Sequence, residues 1–169
     1  MNSNKQLMLT LEDEAATVAL GTALGRAAAQ GGIVYLEGDL GAGKTTLCRG
    51  VLRAFGHHGA VKSPTYTLVE EYELSGRRIF HFDLYRLGDP EELEYVGIRD
   101  YFTPGNLCLI EWPKRGKGFL PAADLDVKVK VVHFPAASPP VSQREAEIVA
   151  HTAAGQTILN RMASERNNN

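Results

Sequence analysis

The chain has 169 residues, 44% of them hydrophobic, and its 18 basic and 20 acidic residues leave a formal net charge of −2. That length and apolar content suit one globular domain with its own core and call for no second domain. The near balance of charge argues against tight, unaided nucleic-acid binding, and the longest apolar runs are far too short to cross a bilayer.

Thr10 with Asp13 reads as a helix cap, and the alanine-rich segment 12–30 as a helix stopped by Gly31 and Gly32. Ile33-Val34-Tyr35-Leu36 follows as a short buried strand. Next, Gly38-Asp39-Leu40-Gly41-Ala42-Gly43-Lys44-Thr45 matches the phosphate-loop pattern G-x-x-x-x-G-K-[ST] at every fixed position, with Thr46 after it. Glycines let such a backbone curl around a triphosphate so that successive N–H groups and the next helix N-terminus face its charge. Lys44, expected to be exposed in the loop, would reach phosphate, and the Thr45 hydroxyl would reach Mg2+. Leu47, Val51, Leu52 and Phe55 then form the apolar stripe of a helix that Gly56 ends.

Segment 67–74, a Ser75-Gly76 turn and segment 77–85 read as a hairpin. In its second arm Phe80, Phe82 and Leu84 alternate with His81, Asp83 and Tyr85, which predicts one core face and one polar face. Asp89-Pro90-Glu91-Glu92 carries the signals that start a short helix. Segment 107–110 is a buried strand ending at Glu111-Trp112-Pro113, and 125–134 is an alternating strand. A proline-rich turn, a strand near 145–151 and a helix from about Ala153 close the chain, with residues 167–169 frayed. The two cysteines fall inside predicted elements, and the N-terminus lacks the apolar stretch of a secretory signal. Both are therefore expected as reduced, buried thiols of a cytoplasmic protein.

A phosphate loop needs carboxylates at neighbouring strand ends to hold the metal's water shell and to orient the attacking water. Glu111 ends a buried strand, and Asp83 lies near the end of the hairpin's second arm. Between loop and hairpin, Ser63-Pro64-Thr65-Tyr66-Thr67 is placed to bring Thr65 to a γ-phosphate. Lys114, Arg115 and Lys117 form a basic loop that is either solvated or a contact for RNA or an acidic partner.

Taken in order, the phosphate loop 38–46, Ser63-Pro64-Thr65-Tyr66-Thr67-Leu68, His81-Phe82-Asp83-Leu84-Tyr85-Arg86-Leu87, Gly97-Ile98-Arg99-Asp100-Tyr101 and Glu111-Trp112-Pro113 resemble the TsaE (YjeE) family. Members are bacterial ATPases of tRNA threonylcarbamoyladenosine biosynthesis, and the resemblance covers roughly residues 7–163. It implies an α/β fold, a small P-loop NTPase fold with a mostly parallel central sheet flanked by helices, plus a β-hairpin. It also implies a cytoplasmic Mg-dependent ATPase that works in a complex with TsaB and TsaD and meets tRNA only through that complex. The implied cofactors are ATP and Mg2+. By the same resemblance Gly41, Ala42, Gly43, Lys44, Thr45 and Thr46 hold the nucleotide. Thr45 and Glu111 are the metal-side groups, and Asp83 and Glu111 are the acidic residues needed for hydrolysis. Arg86 and Trp112 match positions lining the nucleotide site, and Glu14 falls near the adenine. The segment from Pro135 onward matches least well, and 164–169 reads as a disordered tail. Two other classes use the same loop: a small-molecule kinase, which at this size usually carries an arginine-rich lid absent here, and a non-hydrolysing nucleotide switch, which lacks the carboxylates.

Overall fold

Alternating strand and helix signals over the first half of the chain and paired strand signals over the second are resolved into one seven-stranded sheet. The computed structural model describes residues 5–137 and 141–167. In chain order the elements are β1 (Gln6–Leu11), α1 (Glu14–Ala27), β2 (Gly32–Glu37), α2 (Lys44–Ala54), β3 (Val69–Leu74), β4 (Arg77–Asp83), α3 (Glu92–Tyr95), β5 (Leu107–Glu111), β6 (Leu125–Phe134), β7 (Val141–Ala150) and α4 (Ala153–Asn167). Short 3-10 turns cover Ile98–Phe102 and Pro113–Gly116.

The sheet order is β1-β7-β6-β2-β5-β4-β3. Strands β6, β2, β5 and β4 run parallel, whereas β1–β7, β7–β6 and β4–β3 are antiparallel. The sheet is thus mixed, and the expected mostly parallel arrangement is limited to its four central strands. The physical reason lies in the connections. Two residues join β3 to β4, and a short link joins β6 to β7, too little chain for the crossover a parallel pair requires.

Strand β1 was not anticipated; its residues pair along β7 from Gln6↔Val149 to Leu11↔Arg144 and bury Leu9 and Leu11. Helix α1 starts later than the segment 12–30 predicts, because Asp13 is the cap: its side chain accepts from Ala16 N at 2.8 Å. At the other end, Ser164 to Asn167 continue α4 rather than forming a tail, and Glu165 pairs with Arg26 of α1 at 2.6 Å. The proline-rich turn falls on residues 138–140, and the last two positions of the expected frayed end on 168–169, all outside the described residues.

One face of the sheet is covered by α1, α2 and α4, whose Leu24, Leu47, Val51, Leu52 and Leu159 join Val34, Leu36, Leu109 and Val127 in the larger core. Helices α1 and α2 cross in close contact. A Cβ on Gly21 would lie 2.1 Å from the Leu47 carbonyl oxygen, and one on Gly50 would lie 2.2 Å from that of Val18. The opposite face is covered by α3 and the 3-10 turns, where Phe80, Phe82, Leu84, Leu93, Ile98 and Ile110 form a second cluster. The two thiols are free and buried, as the sequence predicts: burial pushes Cys48 well up and Cys108 up to about 12. Among the described residues, no helix is long and apolar enough to cross a membrane.

Candidate functional site

Parallel strands deliver their carboxyl ends to one edge, where β2, β4 and β5 end in Glu37, Asp83 and Glu111. Strand β2 runs into the glycine loop, and α2 begins at Lys44 directly after it. Gly43 has φ of 109°, a left-handed backbone that a side chain would strain. At Gly38 the limit is contact, since a Cβ there would lie 2.4 Å from the Val129 carbonyl oxygen. The register pairs Asp83 of β4 with Glu111 of β5 and Glu111 with Leu36 of β2, so both carboxylates stand beside the loop.

Both carboxylates are buried, Asp83 at 4% exposure and Glu111 at 3%, as is His81 at 0%. The predicted polar face of β4 is therefore an interior one, and its polar atoms must find partners. Asp83 Oδ2 accepts from the Ser63 hydroxyl and from Thr65 Oγ1 at 2.9 Å, and Oδ1 accepts from Tyr85 N at 3.0 Å. Glu111 Oε2 accepts from Thr45 Oγ1 at 3.3 Å and pairs with His81 Nε2 at 2.6 Å. With Glu111 as the acceptor, His81 carries its hydrogen on Nε2, and its buried Nδ1 has no partner among the described residues. The segment holding Ser63 and Thr65 is tied to β4 as well: Leu68 N donates to the Pro64 carbonyl at 2.8 Å, and Asp83 N to that of Leu68 at 3.0 Å.

Lys44 departs from the expectation that it is exposed; it is 5% accessible. Its ammonium donates to the Gly38 carbonyl and to that of Asp39 at 3.2 Å, and lies 4.2 Å from the centre of the Trp112 ring. Burial lowers its pKa, against the opposing pull of Glu111, Asp83 and Asp39. Trp112 has φ of 58° and directly precedes Pro113. A non-glycine residue in this region costs about 1–3 kcal/mol. The turn it makes lays the indole beside Lys44 and against Tyr85, with ring centres 5.0 Å apart.

A cavity of about 380 Å3 opens over these groups. Of the residues singled out in the sequence, Glu14, Gly41, Gly43, Lys44, Thr45, Thr46, Thr65, Asp83, Glu111 and Trp112 border it. Ala42 does not; it is buried within the loop. Arg86 does not either, its exposed guanidinium lying 4.5 Å from the centre of the Tyr66 ring. Glu14 reaches the border from the first turn of α1, ion-paired with Arg49. Sequence reasoning gave no role to Thr17, Tyr85 or Arg144, which also border the cavity, nor to His81. The alternation in β4 could have singled out His81. Nothing local marks Arg144, which strand pairing brings in from β7.

Two donor sets could hold a cation. Thr45 Oγ1 and Glu111 Oε2, with Asp83 one strand away, form a hard, all-oxygen set bordering the cavity, the chemistry that Mg2+ prefers. Cys48, His81 and Glu111 also bring ligand atoms within 4.8 Å of one another, but all three are buried. Burial keeps the Cys48 thiol protonated, and the 2.6 Å bond to Glu111 already occupies His81 Nε2. The oxygen set is the fit.

The model of the family described as threonylcarbamoyl adenosine biosynthesis protein TsaE matches residues 11–135. The chain is similar to the tRNA threonylcarbamoyladenosine biosynthesis protein TsaE of Haemophilus influenzae, with 55% identity over 127 residues covering 75% of each chain. It is 36% identical to the Bacillus subtilis protein of the same name over 126 residues, 75% of this chain and 78% of that one. Its fold resembles the crystal structure of Bacillus subtilis YdiB, with a TM-score of 0.78, 26% identity and full coverage of both chains. On the family match and these identities, the chain belongs to the TsaE family.

Proposed function

We propose that this chain is the ATP-binding and ATP-hydrolysing component of tRNA threonylcarbamoyladenosine modification. In this reading it is a cytoplasmic P-loop ATPase acting with TsaB and TsaD and meeting tRNA through that complex. The observation that carries the reading is the convergence, on one cavity, of the glycine loop with Lys44 and Thr45 and the paired carboxylates Asp83 and Glu111. The tRNA role follows from family membership and from the names of the relatives.

In this reading the positive end of α2 and the loop N–H groups receive the phosphates. Lys44, now bound to two carbonyls of its own loop, turns its ammonium to the incoming charge, where low accessibility strengthens the attraction. Thr45 and Glu111 would hold Mg2+, which supplies charge neutralisation at the phosphate oxygens. His81 fixes the direction of the Glu111 carboxylate through its Nε2 hydrogen bond. Asp83, oriented by Ser63, Thr65 and the Tyr85 N–H, accepts a hydrogen bond from the attacking water and takes its proton. Tyr85 and Trp112 form an aromatic wall that limits solvent entry, and Glu14 and Thr17 border the end of the cavity assigned to the base.

The test is phosphate release from Mg-ATP by the purified chain, alone and with TsaB and TsaD. Slow release alone and stimulation by the two proteins together are expected, because among the described residues no cationic side chain other than Lys44 and Arg144 borders the cavity to steady a transferring phosphoryl group. Release that requires an added phosphate acceptor would make the protein a kinase. No release under either condition would make it a switch.

A further inference from the structure

The glycine loop is held from outside by a residue that the proposed reaction does not yet use. Arg144 Nε donates to the Ala42 carbonyl at 2.7 Å, and Nη2 donates to the Gly41 carbonyl at 3.2 Å. The residue comes from β7, where it faces Leu11 of β1 and Val131 of β6 in register, and it lies beyond the segment 11–135 matched by the family model.

We infer that Arg144 is a positioning residue for the glycine loop and thereby a determinant of nucleotide affinity. Across a trans peptide the carbonyl of one residue and the N–H of the next point in opposite directions. A hydrogen bond that fixes the Ala42 carbonyl therefore fixes the Gly43 N–H on the other side of the same plane. That N–H has no acceptor among the described residues, unlike the Ala42 N–H, which closes a turn onto Asp39 at 3.1 Å. Gly43 is also held between two elements: a Cβ there would lie 3.4 Å from Arg144 Nε and 3.6 Å from Thr17 Cγ2 of α1. The loop glycines bring the freedom that phosphate wrapping needs, and Arg144 limits that freedom before ligand arrives. Its planar fork matches two successive carbonyls in a way that a lysine ammonium cannot. Two of its five N–H donors are so used, and the residue borders the cavity, so its charge adds to the field that draws in an anion.

This inference rests on the nucleotide reading for its affinity arm alone. Two measurements on the full chain keep the two separable: calorimetric affinity for Mg-ADP and Mg-ATP, and backbone amide hydrogen exchange over 38–46 without nucleotide. Arg144→Met is expected to weaken both nucleotides about tenfold, the loss given by removing a charge-assisted pair of hydrogen bonds. Its loop exchange should be faster and its thermal midpoint close to that of the parent. Arg144→Lys, which keeps the charge, should recover part of the affinity while its loop exchanges as fast as in Arg144→Met. With TsaB and TsaD present, KM should rise and kcat at saturation should stay within about twofold, the pattern of a group acting on binding before the chemical step. Parent-like affinity in Arg144→Met, parent-like loop exchange there, or full recovery of affinity in Arg144→Lys would each overturn the inference. Absence of nucleotide binding by the parent would overturn the nucleotide reading, and loop exchange would still decide whether Arg144 holds the loop.

Discussion

Two acidic pairs sit on adjacent parallel strands of this sheet, Asp83 with Glu111 on β4 and β5, and Glu37 with Asp126 on β2 and β6, and they are treated in opposite ways. The first pair is surrounded by donors: Ser63, Thr65 and the Tyr85 N–H on Asp83, Thr45 and His81 on Glu111. The second has few. Glu37 lies 3.9 Å from Lys114, Asp126 lies 3.9 Å from His151, and Asp126 Oδ1 has no hydrogen-bond partner among the described residues. Burial, and then the neighbouring Glu37, push the Asp126 carboxyl from 3.8 up to about 7. Proximity of carboxylates is thus not what distinguishes a site. Cavities border both pairs, and the distinction lies in the hydroxyls, imidazole and N–H groups that hold the first as acceptors.

The largest effects expected from that difference are on turnover. Asp83→Asn and Glu111→Gln should each leave Mg-ATP bound and lower partner-stimulated phosphate release about a hundredfold or more, the scale of a positioned base or metal-side carboxylate. Near-parent turnover in both would make the two acidic pairs equivalent and break the comparison. Thr45→Ala is expected to have a smaller effect, a shift of the Mg2+ dependence to higher concentration with the loop N–H groups still receiving phosphate. An unchanged Mg2+ titration would remove Thr45 from the metal's surroundings.

A spectroscopic signal should follow from Trp112, the only tryptophan, whose indole borders the cavity 4.2 Å from Lys44 Nζ. Its emission should change saturably as Mg-ADP is added, and a flat signal alongside calorimetric binding would place the ligand away from the indole. The smallest effect concerns the second pair. Asp126 keeps its proton in the folded chain up to about pH 7, whereas an unfolded aspartate loses it near 3.8, so its contribution turns increasingly against folding as pH rises through that window. Asp126→Asn should therefore raise the thermal midpoint at pH 8 by about 2–4 °C, the shift that ~1 kcal/mol gives at this length, and change it little at pH 4. A larger gain at pH 4 than at pH 8 would reverse the assigned cause.

What could be read in advance was what local pattern encodes. The loop, the β3–β4 hairpin, β5 with Glu111 at its end and β6 all follow from motif, turn chemistry or alternation, and Asp83 and Glu111 lie beside the loop because parallel register aligns strand ends. The edge strand β1 was not legible: Gln6–Leu11 has only two buried positions, and its pairing partner lies about 140 residues away. A separation of 102 residues likewise hid Arg144, which becomes a loop contact only once β6, β7 and β1 are assembled. Burial of Lys44 and of His81 was also missed, because alternation reports which residues share a face and is silent on what covers it. At the C-terminus polarity was misread as disorder. The apolar contacts of Ile158, Leu159 and Met162 anchor α4, and its polar last turn continues from them.

The central claim is that the cavity over the glycine loop binds a magnesium-complexed nucleoside triphosphate through Lys44. The most direct measurement is a calorimetric titration of the parent chain and of Lys44→Ala with Mg-ATP, each first shown by circular dichroism to be folded. Saturable one-site binding by the parent and its loss in the folded variant are predicted; equal affinity in the two would contradict the account.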